Sequence, residues 1–160
     1  MEINLEEVRR KTVPVNLYID SIREPFRQRF LERKITYQLN SKVVERLKNF
    51  VSGIVVVAFS AEWCKDCAAN IPVLALISEA TGLEVRIFGG LKRDPLNPSR
   101  KWSIPPSPSE VEKFHVDKIP LILILNREGV ELGRIVENPR RGLTLEEEIL
   151  QLALENAGKA

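Results

Sequence analysis

A chain of 160 residues, 44% hydrophobic and 29% charged, can bury one core without disulfide staples. Its 24 basic and 22 acidic residues leave a formal charge of +2. That balance excludes the basic face of sequence-independent nucleic-acid binding and equally an acidic solvating tail.

Residues 1–50 read as charged and helical, with Phe26, Phe30 and Leu31 at helical spacing among arginines and glutamates. Pro14 and Pro25 argue against one continuous helix, because an internal proline removes a backbone bond and clashes with the preceding turn. Two or three short amphipathic helices are expected. The last lies near 42–49, with Asn40 or Ser41 as its cap. Packing of this extension on the domain formed by 51–160 is the expected arrangement.

The run Ile54–Phe59 is β-branched without alternation, the signature of a strand buried on both faces. Ala68–Ala80 has helical composition and ends before Gly82, and Leu83–Phe88 reads as a second strand. Together they predict a right-handed strand–helix–strand crossover. A Pro-rich loop spans 89–107. Ser107 then caps a short helix, with Pro108 at its first position, that ends around His115. Leu121–Leu125 is another buried strand. It joins Val130–Glu137 through a turn at 126–129 to make a hairpin. A capping box at Thr144 and Glu147 opens a C-terminal helix reaching about Asn156. A parallel unit followed by an antiparallel hairpin predicts an α/β fold: a three-layer sandwich with a mixed central sheet flanked by helices.

The longest apolar runs fall far short of the ~20 residues a membrane span needs. The acidic start, with Glu2, Glu6 and Glu7, is unlike a secretory signal. A soluble cytoplasmic protein is expected, with neither membrane nor nucleic acid as a partner.

Both cysteines, Cys64 and Cys67, sit where the first strand meets its helix. Residues three apart on a helix have Cα atoms roughly 5 Å apart, within the window for a reversible disulfide. Unpaired N–H groups at the helix start favour a thiolate at Cys64, and the thiolate is the attacking species. Cys67, one turn deeper, is then the resolving thiol. Between them Lys65 favours the thiolate and Asp66 opposes it, so both are tuning candidates whose net sign the sequence leaves open. Zinc is a competing reading, but His115 and carboxylates are the only further ligands. A structural disulfide and two inert core cysteines are the others. No metal and no cofactor is expected.

The segment Ala61-Glu62-Trp63-Cys64-Lys65-Asp66-Cys67 resembles the active site of the thioredoxin family. Pro72 matches the proline that kinks its active-site helix, and Ile119-Pro120 matches its cis-proline loop. The likeness runs from about 54 to 156. It implies a thioredoxin-like fold and a cis bond at Pro120. It also implies an apolar platform of Trp63, Ile119 and Pro120 that holds an extended polypeptide substrate. Three departures stand out. Lys65-Asp66 replaces the usual Gly-Pro, Ala58 stands where the family carries a buried acid, and Glu137 aligns with a glycine.

The expected function is thiol–disulfide exchange, in which the Cys64–Cys67 dithiol reduces protein disulfides. A flavin-dependent reductase or small thiols would restore the dithiol. The alternative is a redox-weak binding module that presents the 89–107 loop or the N-terminal helices to a partner. Lys92, Arg93, Arg100, Lys101 and Trp102 make that loop basic and aromatic, although a plain solvated loop is the default expectation.

Overall fold

A five-stranded mixed sheet of order β1-β3-β2-β4-β5 forms the centre of the computed structural model, which describes residues 3–98, 101–102 and 107–156. The two central strands are β2 (Ile54–Phe59) and β4 (Leu121–Asn126), and every residue of both is buried. Burial along a whole strand requires cover on both faces, which is why neither strand alternates in sequence. They pair antiparallel, with Val56 opposite Ile124. On the other side of β2 lies β3 (Glu84–Phe88), parallel, with Val56 opposite Val85. β5 (Glu131–Val136) closes the hairpin with β4 and has a register shift at Ile124/Leu125.

The expected α/β sandwich and its mixed sheet are therefore present, and the extension contributes a strand as well as helices. β1 is only Val13–Pro14, and it pairs antiparallel with β3 at the sheet edge. Four helices surround it in sequence: α1 (Leu5–Lys11), α2 (Val15–Ser21), α3 (Phe26–Thr36) and α4 (Ser41–Leu47). The two or three helices expected thus undercount them. Pro14 ends β1 and caps α2, while Pro25, after a cis Glu24–Pro25 bond, caps α3. Each proline divides one helix from the next, as its missing N–H dictates. Asn40 caps α4, and its side chain accepts the N–H groups of Lys42 and Val43.

α5 (Lys65–Thr81) starts three residues before the expected Ala68 and ends at Gly82, whose φ of 79° suits a left-handed cap. α3 packs along α5, with the Arg33 Nε–H donating to the Ala69 carbonyl at 2.9 Å. α7 (Leu145–Glu155) opens with the expected capping box, Thr144 and Glu147 exchanging bonds of 3.1 and 2.9 Å.

The short helix α6 (Glu110–Lys113) is capped by Ser109, not Ser107. The Ser107 hydroxyl instead closes the preceding loop, accepting the Lys92 N–H at 2.6 Å and donating to its carbonyl. Nor is the described part of that loop simply solvated, since Leu91 and Trp102 are buried. Arg100, Pro105 and Pro106 lie outside the described residues. No helix among the described residues is long and apolar enough to cross a membrane.

Candidate active site

β2 carries the chain to the site and α5 receives it. Beyond Phe59 the backbone passes Ser60, Ala61, Glu62 and Trp63, and Cys64 takes the N-cap position of α5 with φ −81° and ψ 123°. An N-cap side chain accepts first-turn N–H groups that lack a helical partner. Here the acceptor is sulfur: Cys64 Sγ receives the Cys67 N–H at 3.2 Å.

That placement holds the Cys64 thiol below its ordinary value. The largest cause is a hydrogen bond from the Cys67 side chain, which outweighs the opposing effect of burial; the N–H groups of Cys67 and Asp66 add to it. Asp66 therefore acts in both directions, because its carboxylate raises the same thiol that its N–H lowers. The net direction at Cys64 is towards the thiolate, and Cys67 is its largest cause. Lys65, the other tuning candidate, is exposed.

Cys67 has no exposed surface. Burial is the main cause that pushes its thiol far up, and the bond to Cys64 adds to the shift. One sulfur is thus poised as thiolate at the helix mouth and its neighbour stays protonated behind it. Among the described residues no group of three or more histidines, cysteines or acids could hold a metal ion.

The Ile119–Pro120 bond is cis, and the Cys64 thiol lies 3.7 Å from the Ile119 carbonyl. Ile119 and Pro120, far away in sequence, are therefore brought against the cysteine pair. Glu137 adjoins the same loop: its N–H donates to the Pro120 carbonyl at 2.8 Å, and its φ is +65°. Asn70, buried on α5, ties the two sides together. Its amide nitrogen lies 2.9 Å from the Asp66 carbonyl and 3.0 Å from that of Glu137. His115 is exposed at the end of α6.

Trp63 is 45% exposed and stacks on Trp102, with ring centroids 6.2 Å apart at 25°. Trp102 is in turn fixed by its indole N–H, which donates to the Asp117 carbonyl at 2.9 Å. In sequence Trp102 is only a loop aromatic; its role beneath Trp63 has no local signal. Two further residues escaped notice. Ser60 is fully buried, and its hydroxyl lies 2.9 Å from that of Tyr18 on α2. The Ser60 side chain also favours the Cys67 thiolate. The one available hint is that Ser60 is a polar residue closing an apolar strand.

Trp63 and Tyr18 line an open cavity of about 630 Å³, together with Arg23, Glu62, Gly89 and Lys92. Arg23 and Glu62 are ion-paired across it.

Comparison with known proteins bears on the family and the fold. Two curated relatives, the thioredoxins of Chlamydia muridarum and Chlamydia trachomatis, are 39% and 36% identical over 88 residues, which is 55% of this chain and 72% of each relative. Among solved structures, a Pseudomonas aeruginosa protein of unknown function superposes with a TM-score of 0.71 at 18% identity, over 99% of each chain. An HIV epitope-scaffold does so with a TM-score of 0.69 at 17% identity, also over 99% of each. These two likenesses concern the fold, and they span the N-terminal helices as well as the sheet. The thioredoxin family profile matches residues 13–98, and with the fold and the cysteine geometry in place the chain belongs to the thioredoxin family.

Proposed function

We propose that the protein reduces disulfide bonds in other proteins. Cys64 attacks a substrate disulfide, forming a mixed disulfide and releasing one substrate thiolate. Cys67 then attacks the Cys64 sulfur, releasing the second thiolate and leaving a Cys64–Cys67 disulfide. The observation that carries the reading is the opposed pair of environments. Cys64 accepts bonds at the helix mouth, and Cys67 is buried behind it as a thiol.

Trp63, Ile119 and Pro120 supply the platform on which an extended substrate lies, with Glu137 placing a charge at its edge. Electrons return from a flavin-dependent reductase or from small thiols of a reducing cytoplasm. The test is dithiothreitol-driven reduction of insulin. The wild-type protein should accelerate precipitation of the insulin B chain, Cys64→Ser should abolish the acceleration, and Cys67→Ser should accumulate a mixed disulfide with the substrate. A wild-type protein no faster than dithiothreitol alone would refute the reading.

A further inference from the structure

The resolving step needs the Cys67 proton removed, yet Ala58, fully buried on β2, offers no acid to take it. The path the structure does provide is a pair of hydroxyls. Ser60 is fully buried, its hydroxyl favours the Cys67 thiolate, and its backbone N–H is fixed to the Phe88 carbonyl at 3.0 Å. Tyr18 lies on its other side, at 2.9 Å hydroxyl to hydroxyl. The tyrosine ring is held edge-on to Phe30 at 6.3 Å. Gly89 leaves room for it, since a Cβ there would come within 2.7 Å of the Tyr18 ring. Tyr18 also lines the open cavity of about 630 Å³, where it shares the wall with Glu62. A hydroxyl is both donor and acceptor, so two in series can pass a proton without either holding charge.

We infer that Ser60 and Tyr18 form a proton conduit from Cys67 to the cavity beside Trp63, taking the place of a buried carboxylate in the resolving step. This rests on the thiol–disulfide exchange proposed above. The Cys67 S–H proton moves to Ser60 Oγ as the Ser60 proton moves to Tyr18 Oη and the Tyr18 proton to cavity water. The Cys67 thiolate so formed attacks Cys64 Sγ: the Cys67–Cys64 bond forms, the Cys64–substrate bond breaks, and its electron pair leaves on the substrate sulfur. The two cysteines are oxidised and the substrate disulfide is reduced.

Ser60 acts on the reacting thiol directly, through its hydroxyl. Tyr18 acts through it and is a positioning residue. The charged and titratable groups facing this path are Cys64, which favours the protonated Cys67, Glu62, which favours the protonated Tyr18, and Lys11, Arg23 and Lys92, which line the cavity where the path opens. Burial raises the Tyr18 hydroxyl as well, so it serves as a relay and not as a base.

The test uses the full reduced chain and 5,5′-dithiobis(2-nitrobenzoate) in stopped flow. Attack by Cys64 releases one thionitrobenzoate and resolution by Cys67 releases a second, a leaving group that needs no proton. Ser60→Ala and Tyr18→Phe should slow the second phase about tenfold or more, a conservative share of what proton transfer contributes, and leave the first unchanged. The deficit should shrink as pH rises and hydroxide takes over, and Ser60→Thr, which keeps the hydroxyl, should recover the second phase.

The unchanged first phase is the internal control for folding, since it depends on the intact helix mouth. A second phase untouched in either variant, or both phases slowed alike, overturns the conduit while leaving the oxidoreductase reading intact. Release of only one thionitrobenzoate by the wild-type chain would overturn the oxidoreductase reading itself.

Discussion

At the scale of single residues, the cysteine pair divides its labour through the burial of Cys67 and one hydrogen bond. The Cys67 thiol donates to the Cys64 sulfur, which lowers Cys64 and raises Cys67 at once. A hydrogen bond to a charged group contributes about 1.5–3 kcal/mol, so removing the donor should matter more than removing a methylene's worth of packing. Cys67→Ala should therefore shift the pH midpoint of Cys64 alkylation by iodoacetamide upward and slow alkylation at neutral pH by about tenfold. Cys67→Ser retains a donor and should lie between. The sign follows from which form the bond favours: the donor stabilises the thiolate, so losing it demands a higher pH for ionisation. An unchanged midpoint in Cys67→Ala would mean that the helix mouth alone activates Cys64. The cysteines were legible in sequence because spacing three apart at a strand–helix junction is a local signal. Tyr18 was not, because it reaches Ser60 from 42 positions away through tertiary packing alone.

At the scale of elements, legibility followed the length of the pattern. β2, β4 and α7 declare themselves through six or more residues of consistent burial or a reciprocal cap, and the structure places them as expected. β1 has two residues, too few to show any period, and only the neighbouring edge of β3 makes it a strand. The short helix α6 slid by two residues because the Ser107 hydroxyl found a partner across its loop in preference to a cap. The turn that follows β5 carries a different cost. Glu137 sits at φ +65°, a region that crowds the Cβ of an L-residue against its own backbone. Its ion pair with Lys118, 3.9 Å long and between partly exposed groups, offsets little of that. Glu137→Gly removes the crowding, less the greater entropy glycine loses on folding, and should raise stability by about 0.5–1 kcal/mol in urea unfolding. A loss of stability would show that the Glu137 side chain contributes more than its exposed ion pair indicates. The same variant keeps the Glu137 N–H to Pro120 and the Asn70 tie to the Glu137 carbonyl, so insulin reduction tests separately whether the charge at the platform edge selects substrates.

At the scale of the whole molecule, the question is whether residues 1–50 decorate the thioredoxin-like part or complete it. The N-terminal segment reaches the rest of the chain at many separated places, among them the far ends of the sheet and α7. Ile3 donates its N–H to the Gly129 carbonyl in the β4–β5 turn, Arg9 pairs with Glu84 on β3, and Tyr37 and the Asn40 N–H both donate to Glu146 on α7. Glu146 is fully buried, so without those donors a carboxylate would be left unsatisfied in the interior. Val8, Val15, Ile19, Ile22, Phe30 and Leu47 are each less than 5% exposed. At roughly 1.5 kcal/mol apiece even the low estimate for burying six such side chains reaches ~9 kcal/mol, as large as the net stability of an ordinary domain. Removing β1 would also open the backbone edge of β3 to association with other chains. The charged helical composition of 1–50 signalled helices, yet it hid these contacts, because a half-buried helix looks the same in sequence whether its apolar face meets its own chain or another. A chain comprising residues 51–160 alone should therefore lack a cooperative thermal transition and self-associate, whereas the full chain should melt in one cooperative step whose calorimetric and van't Hoff enthalpies agree. Adding a separate peptide of residues 3–50 should restore cooperativity to the shortened chain. If 51–160 instead unfolds cooperatively by itself, within a few degrees of the full-length protein, the N-terminal helices are an ornament on a self-sufficient domain and their contacts carry no net stability.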